Sequence, residues 1–214
     1  MPDKSDAPQL FLVTPVLWTE AFASTLADAL SGGPVGAVLI AGGATEPERE
    51  VAAARLVPII QAAGVAALVA DHTRVAGRSR ADGIQIESGL GDLRAAVSTF
   101  RPGKILGAGG IGTRHTAMEA GEAEPDYLFF GKPHGDTHPE PHPKALDLAQ
   151  WWSELTQIPA VVMAGSALGS LGQARETGAA FVALHRAVWE HPGGPAEAVR
   201  LAAAALAEPS VRAA

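Results

Sequence analysis

The chain is predicted to be an α/β protein, a (β/α)8 TIM barrel closed by an eight-stranded, all-parallel sheet. Three observations predict it. Short apolar runs of strand length recur along the sequence, Ala-rich segments with helical spacing lie between them, and several helix ends carry a similar glycine-containing phrase. The apolar runs are continuous rather than alternating, which is the pattern of strands covered by helices on both faces. Eight such units close naturally into a barrel, whereas the alternative, a doubly wound open sheet, usually has five or six strands.

In order, the strands are expected at 10–16, 37–40, 66–70, 83–86, 105–108, 127–130, 160–164 and 181–184. The helices between and after them are expected at 20–30, 47–63, 90–100, 113–120, 145–155, 168–176 and 196–207. The third crossover, 72–80, is short and polar, so its helix has the weakest signal. The recurring phrase is Ala63-Gly64-Val65 and Thr177-Gly178-Ala179, and more loosely Ala81-Asp82-Gly83 and Glu124-Pro125-Asp126. A glycine there supplies the left-handed C-cap that turns the chain back into the sheet.

A length of 214 residues with 47% hydrophobic content favours one domain, 1–214, with a flexible start over 1–8 and a tail over 209–214. The formal charge of −7 and the scattered Lys and Arg give no electrostatic footprint for nucleic acid or an anionic membrane. The start has no basic segment followed by a long apolar one, and no apolar run approaches the roughly 20 residues that span a bilayer. A cytoplasmic protein is expected. The absence of cysteine removes disulfides, thiolate metal sites and thiol nucleophiles. Chemistry must therefore come from carboxylates, imidazoles, hydroxyls, amines or backbone amides. In a barrel these act where strands end and helices begin.

Four segments, in this order and at similar separations, resemble the thiamine-phosphate synthase family. They are Phe11-Leu12-Val13-Thr14; Ala70-Asp71 with Ala81-Asp82-Gly83-Ile84-Gln85-Ile86; Tyr127-Leu128-Phe129-Phe130-Gly131; and 159–165 with Gly178-Ala179-Ala180-Phe181-Val182-Ala183. The resemblance implies a transferase of thiamine biosynthesis that joins a hydroxymethylpyrimidine diphosphate to a thiazole phosphate, expelling pyrophosphate with Mg²⁺. The partners it implies are small phosphorylated molecules, and it leaves a homodimer open. The family also has a thiazole tautomerase branch, so a tautomerase or a non-catalytic thiazole-phosphate-binding barrel stands as the alternative.

Carried over position by position, the resemblance makes Asp71 a Mg²⁺ ligand, though an aspartate there also caps a turn well. Asp92 or Glu87 stands near the second metal position, and Asp92 also suits the first turn of a helix. The resemblance places Thr113 at a phosphate-binding hydroxyl, a position that reads equally as an N-cap, and His115 at the imidazole used by the tautomerase branch. Lys132 and Thr137 fall in the loop that holds the leaving group, and Gly165, Ser166 and Arg186 at the grip on the thiazole phosphate. Arg186 also has Glu190 within ion-pairing reach on a helix. The loop 131–142 further offers His134, Asp136, His138 and His142, as metal ligands or as parts of a polar lid. Where the family has a Gln-x-Arg-x-Lys phrase after the second strand, this chain reads Leu39-Ile40-Ala41-Gly42-Gly43-Ala44 and lacks the cations that bind diphosphate.

Overall fold

A computed structural model describes residues 7–208. Most of the expected flexible start and all of the expected tail, positions 1–6 and 209–214, lie outside the described residues. Eight strands run β1 (Gln9–Val13), β2 (Val35–Ile40), β3 (Ala66–Ala70), β4 (Gly83–Ile86), β5 (Ile105–Ile111), β6 (Tyr127–Phe130), β7 (Ala160–Met163) and β8 (Phe181–Leu184). Each pairs in parallel with the next, and β8 returns to β1 through Gln9–Phe181 to Leu12–Leu184, closing the barrel.

The helices are α1 (Phe22–Ser31), α2 (Glu46–Ala62), α3 (Thr73–Arg78), α4 (Leu90–Phe100), α5 (Arg114–Gly121), α6 (Pro143–Leu155), α7 (Leu171–Arg175), α8 (Arg186–Trp189) and α9 (Pro195–Ala207). Local chemistry sets their starts. Thr45 caps α2 by accepting from the Glu48 amide, and the Glu48 carboxylate accepts in return from Thr45 N, a reciprocal capping box. Pro143 and Pro195 open α6 and α9, where a missing N–H removes no helical bond.

The strand runs are continuous in sequence because both faces are buried, and the pleat divides them. On β1, Leu10 and Leu12 face the helices, while Phe11 and Val13 point into the barrel. Phe11 is the hub of the interior, with its ring edge-on to Tyr127 and Phe129, each with centroids 5.8 Å away. Tyr127 fits only because β5 carries glycine opposite it: a Cβ on Gly107 would lie 2.1 Å from the Tyr127 ring.

Element boundaries depart most from the sequence expectation in four places. β1 stops at Val13 rather than 16, since Pro15 has no N–H to donate and the segment turns toward α1. β5 runs on to Ile111, carrying Gly109 and Gly110 into the barrel mouth. The seventh crossover is a 3₁₀ turn, Leu168–Ser170, followed by the short α7. A single helical turn, α8, unforeseen from sequence, follows β8 before α9. Among the described residues, no helix is long and apolar enough to cross a membrane.

Candidate active site at the barrel mouth

Gln85 on β4 and Glu87 just past its end follow one another at the inward positions. The Tyr127 hydroxyl donates to Gln85 Oε1 at 2.9 Å, and Gln85 Nε2 donates to the Glu87 carboxylate. That polar chain climbs from the barrel interior to its mouth, and its directions are fixed because a tyrosine hydroxyl is the donor to an amide oxygen. Glycine again makes the room: a Cβ on Gly109 would sit 2.1 Å from Glu87 Oε1. Burial pushes the Glu87 carboxyl above its ordinary value, and the nearby Asp71 charge adds to the rise.

Asp71, just past β3, holds a left-handed backbone with φ 54°. Its Oδ1 accepts from Glu87 N at 2.7 Å and from Ser88 N at 3.1 Å, so it braces the β4 loop. Asp92 lies in the first turn of α4, exposed, and lines the same cavity of about 360 Å³ as Asp71 and Ser88. Among the described residues, no three His, Asp or Glu side chains gather as a metal-holding group, so Glu87, Asp71 and Asp92 do not converge.

The β2 loop, neutral in sequence, is bound to the β1 loop: Gly43 N donates to Val16 O at 2.7 Å and Ala41 N to Thr14 Oγ1 at 3.0 Å. Gly43 has φ 97°, and a Cβ there would strike the Arg49 backbone at 2.5 Å. Arg49 itself, half-buried in the first turns of α2, is a cation that the strand-end reading missed. After burial, its charge is the main influence holding the His72 imidazole below its ordinary value.

The loop between β6 and α6 lies across the other half of the mouth. His134 Nε2 donates to Thr14 O at 2.9 Å at the end of β1. Asp136, 2% exposed, accepts at Oδ2 from Arg186 N at 2.6 Å, and its Oδ1 lies 3.1 Å from His185 Nδ1. The carbonyls of His138 and Pro139 accept from Ser166 N at 2.8 Å and Ala167 N at 3.1 Å. Only glycine permits this crossing, since a Cβ on Gly165 would lie 2.1 Å from Pro139 O. The amides of Ser166 and Arg186 at the ends of β7 and β8 are thus bonded to the chain's own loop. The Arg186 side chain reaches Glu190 at 3.8 Å, a contact between exposed groups.

A cavity of about 630 Å³ at the mouth lies between the ends of β5–β7 and α6. Lys132, Lys144, Thr137 and the Gly110–Gly112 segment supply its polar edge, and Ile111, Leu148 and Met163 supply apolar wall. Lys144, in the first turn of α6, was not singled out from sequence; only its position one residue inside a Pro-led helix start signalled it. Thr113 caps α5 through a reciprocal bond with Thr116, and His115 is a surface residue, its side chain 82% exposed and 3.5 Å from Glu119. The sequence-predicted residues therefore fall into four groups: Asp71 with Asp92, Thr113 with His115 at the start of α5, Lys132 with Thr137, and Gly165 with Ser166 and Arg186 at the ends of β7 and β8.

Comparison with known proteins agrees with this architecture. The family described as thiamine monophosphate synthase matches residues 10–188. A thiamine-phosphate synthase of Rhodospirillum centenum is 33% identical over 195 residues, covering 89% of this chain and 94% of that protein. One from Hyphomonas neptunium is 31% identical over 201 residues, covering 90% of each. The thiamine phosphate pyrophosphorylase of Pyrococcus furiosus superposes with a TM-score of 0.76 at 21% identity, over 95% of this chain and 98% of that one, and shows the same fold. With a match over most of the barrel and relatives of this identity along nearly the whole length, the chain belongs to the thiamine monophosphate synthase family.

Proposed function

We propose that the chain is a transferase that couples a pyrimidine diphosphate to a thiazole phosphate, with release of pyrophosphate. Alongside family membership, the observation that carries this reading is the division of the barrel mouth. Carboxylates stand on the β3–β4 side, and lysines with an apolar wall stand on the β5–β7 side. A reaction that separates a diphosphate from a carbon centre needs charge stabilisation at both ends more than it needs an acid or a base.

Mg²⁺ suits the acidic side. It is usually held by one or two carboxylates and completed by phosphate and water, and Asp71 with Asp92 offers that donor set. Asp71 Oδ1 is committed to two amides, which leaves Oδ2 for an ion. When bound, the ion would neutralise charge on the leaving diphosphate. Lys132 and Thr137 contribute a flexible cation and a hydroxyl to phosphate groups from the opposite side. The Gly110–Gly112 segment lets backbone approach the substrate, and Thr113 fixes the helix behind it. Asp136, His134 and the loop carbonyls cover the rest of the mouth and keep water from the reacting carbon. The missing cations after β2 are offset in part by Arg49.

The reading is tested by isothermal titration with thiazole phosphate and with the pyrimidine diphosphate, each with and without Mg²⁺, on the unmutated protein and Asp71→Ala. Binding of both is expected, with the Mg²⁺-dependent gain for the diphosphate lost in the variant. Thiazole phosphate binding alone would replace the transferase by a binder, and binding of neither would exclude both.

A further inference from the structure

The polar chain from Tyr127 through Gln85 to Glu87 has a fixed direction. The Tyr127 hydroxyl donates to Gln85 Oε1, so the Gln85 amide presents Nε2 to its other neighbour, and the Glu87 carboxylate accepts it at Oε1. Tyr127 is buried in the barrel interior against Phe11, which holds the inner end of the chain in place. Glu87 ends the chain half-buried, and among the described residues no Lys, Arg or His stands within ion-pairing distance of it. A carboxylate has about four acceptor positions, and a partly desolvated one without a cation is stabilised by an N–H donor that reaches it.

Its place in the mouth is as specific as its orientation. Asp71, whose Oδ1 accepts from Glu87 N, and Ser88 border the acidic cavity. Gly110, whose Cβ would lie 2.8 Å from Glu87 O, borders the cavity beside the lysines. Glu87 stands between the two. A pyrimidine that turns its diphosphate toward Asp71 and its reacting carbon toward the thiazole lies between the same two cavities. That ring carries an exocyclic amine next to the carbon that loses the diphosphate.

We propose that the Glu87 carboxylate reads this amine, accepting its N–H, and stabilises the charge that develops on the pyrimidine as the diphosphate departs. The assignment rests on the transferase reading above. The C–O bond to the diphosphate breaks, and its electron pair leaves with the diphosphate oxygen. The positive charge left on the carbon is shared with the amine nitrogen, and the thiazole nitrogen then supplies the pair that forms the new C–N bond. No proton is transferred to Glu87. The N–H that it accepts becomes more polarised while the ring is charged and relaxes once the charge has passed to the thiazole nitrogen. An acceptor whose hold strengthens only as charge develops raises kcat rather than merely tightening substrate binding.

The test starts from free hydroxymethylpyrimidine, which carries the amine without a diphosphate, and its oxo analogue, in which a carbonyl replaces the amine. Binding is followed by NMR line broadening of each ring with the unmutated chain, Glu87→Gln and Glu87→Asp, all checked by thermal melting. The unmutated chain is expected to bind the amine form about tenfold more tightly, since a carboxylate attracts a donor and repels a carbonyl. Glu87→Gln should favour the oxo ring, because Gln85 still takes the oxygen of residue 87 and leaves an amide N–H facing the ligand. Glu87→Asp should keep the preference for the amine at lower affinity. Neither ring has a leaving group, so these results stand whether or not the chain releases pyrophosphate. In the separate release assay, Glu87→Gln should lower kcat about tenfold and leave the KM for thiazole phosphate and the Mg²⁺ dependence unchanged. Equal binding of the two rings by the unmutated chain, or a preference for the amine that survives in Glu87→Gln, overturns the assignment. A Mg²⁺ requirement that shifts in Glu87→Gln replaces it with a role as metal ligand, and no binding of either ring removes the pyrimidine from Glu87.

Discussion

The two halves of the barrel mouth are built in opposite ways. On the β3–β4 side, the ionisable groups are carboxylates braced by backbone amides and an interior polar chain: Asp71 on the Glu87 and Ser88 amides, Glu87 on Gln85, and Gln85 on Tyr127. On the β6–β8 side, a long loop arrives from outside and is fastened by a buried carboxylate, while its lysine stays free. The difference teaches that one side is rigid because strands build it, and the other only as rigid as the Asp136 fastening. It also separates negative from positive charge across the mouth.

The comparison is broken most severely at Asp136. Replacing it by alanine strips Arg186 N and His185 of a buried charged acceptor, and a loss of about 3 kcal/mol is expected from urea unfolding at unchanged m-value. The loop should loosen with it, so proteolytic nicking within 132–142 should quicken. A loss near zero would mean that the loop is held by its carbonyl contacts alone. The matching cut on the rigid side, Tyr127→Phe, leaves Gln85 Oε1 without its donor and should cost about 1–2 kcal/mol with no change in loop proteolysis.

A smaller, opposite-signed effect comes from pH. Burial raises the Glu87 carboxyl, so the native state binds its proton more readily than the unfolded chain does. Its contribution is present below the ordinary carboxylate value and lost as pH rises through the raised one. Burial lowers the His134 imidazole, so that contribution is present above the ordinary imidazole value and lost as pH falls through the lowered one. Melting temperature against pH should therefore lose its alkaline-going decline in Glu87→Gln and its acid-going decline in His134→Gln. The same slope in the variant and the unmutated protein would show that the residue's environment is not desolvating. Smallest of all is His115→Ala: an exposed side chain paired with Glu119 should change stability by less than about 0.5 kcal/mol and leave pyrophosphate release intact. A large loss of pyrophosphate release there would place the His115 imidazole in the coupling machinery.

How much of this was legible before the fold was known differs between the two sides. The closed parallel barrel follows from eight apolar runs and the Ala-rich segments between them, and Asp71 could be placed because it directly follows a strand. The brace it makes was visible only as a generic turn-capping tendency, since bonds from Asp71 to residues 87 and 88 cross two elements. The β6–α6 loop was legible as polar and proline-rich and no further. Nothing local to Asp136 says that it will reach 50 residues along the chain to cap α8, and α8 itself is a single turn without periodicity. Lys144 was not singled out because the cavity it lines is formed by three strands and a helix. The sequence does not show which loop will cross Gly165 and take the Ser166 amide.

The central claim is that the divided mouth performs the coupling, and it is tested most directly by the initial rate of pyrophosphate release. The rate would be followed with the pyrimidine diphosphate present and with thiazole phosphate and Mg²⁺ each added or withheld. The account predicts release that requires both substrates and the ion and falls on Asp71→Ala. Release that proceeds at the same rate without thiazole phosphate, or no release under any of these conditions, would contradict it.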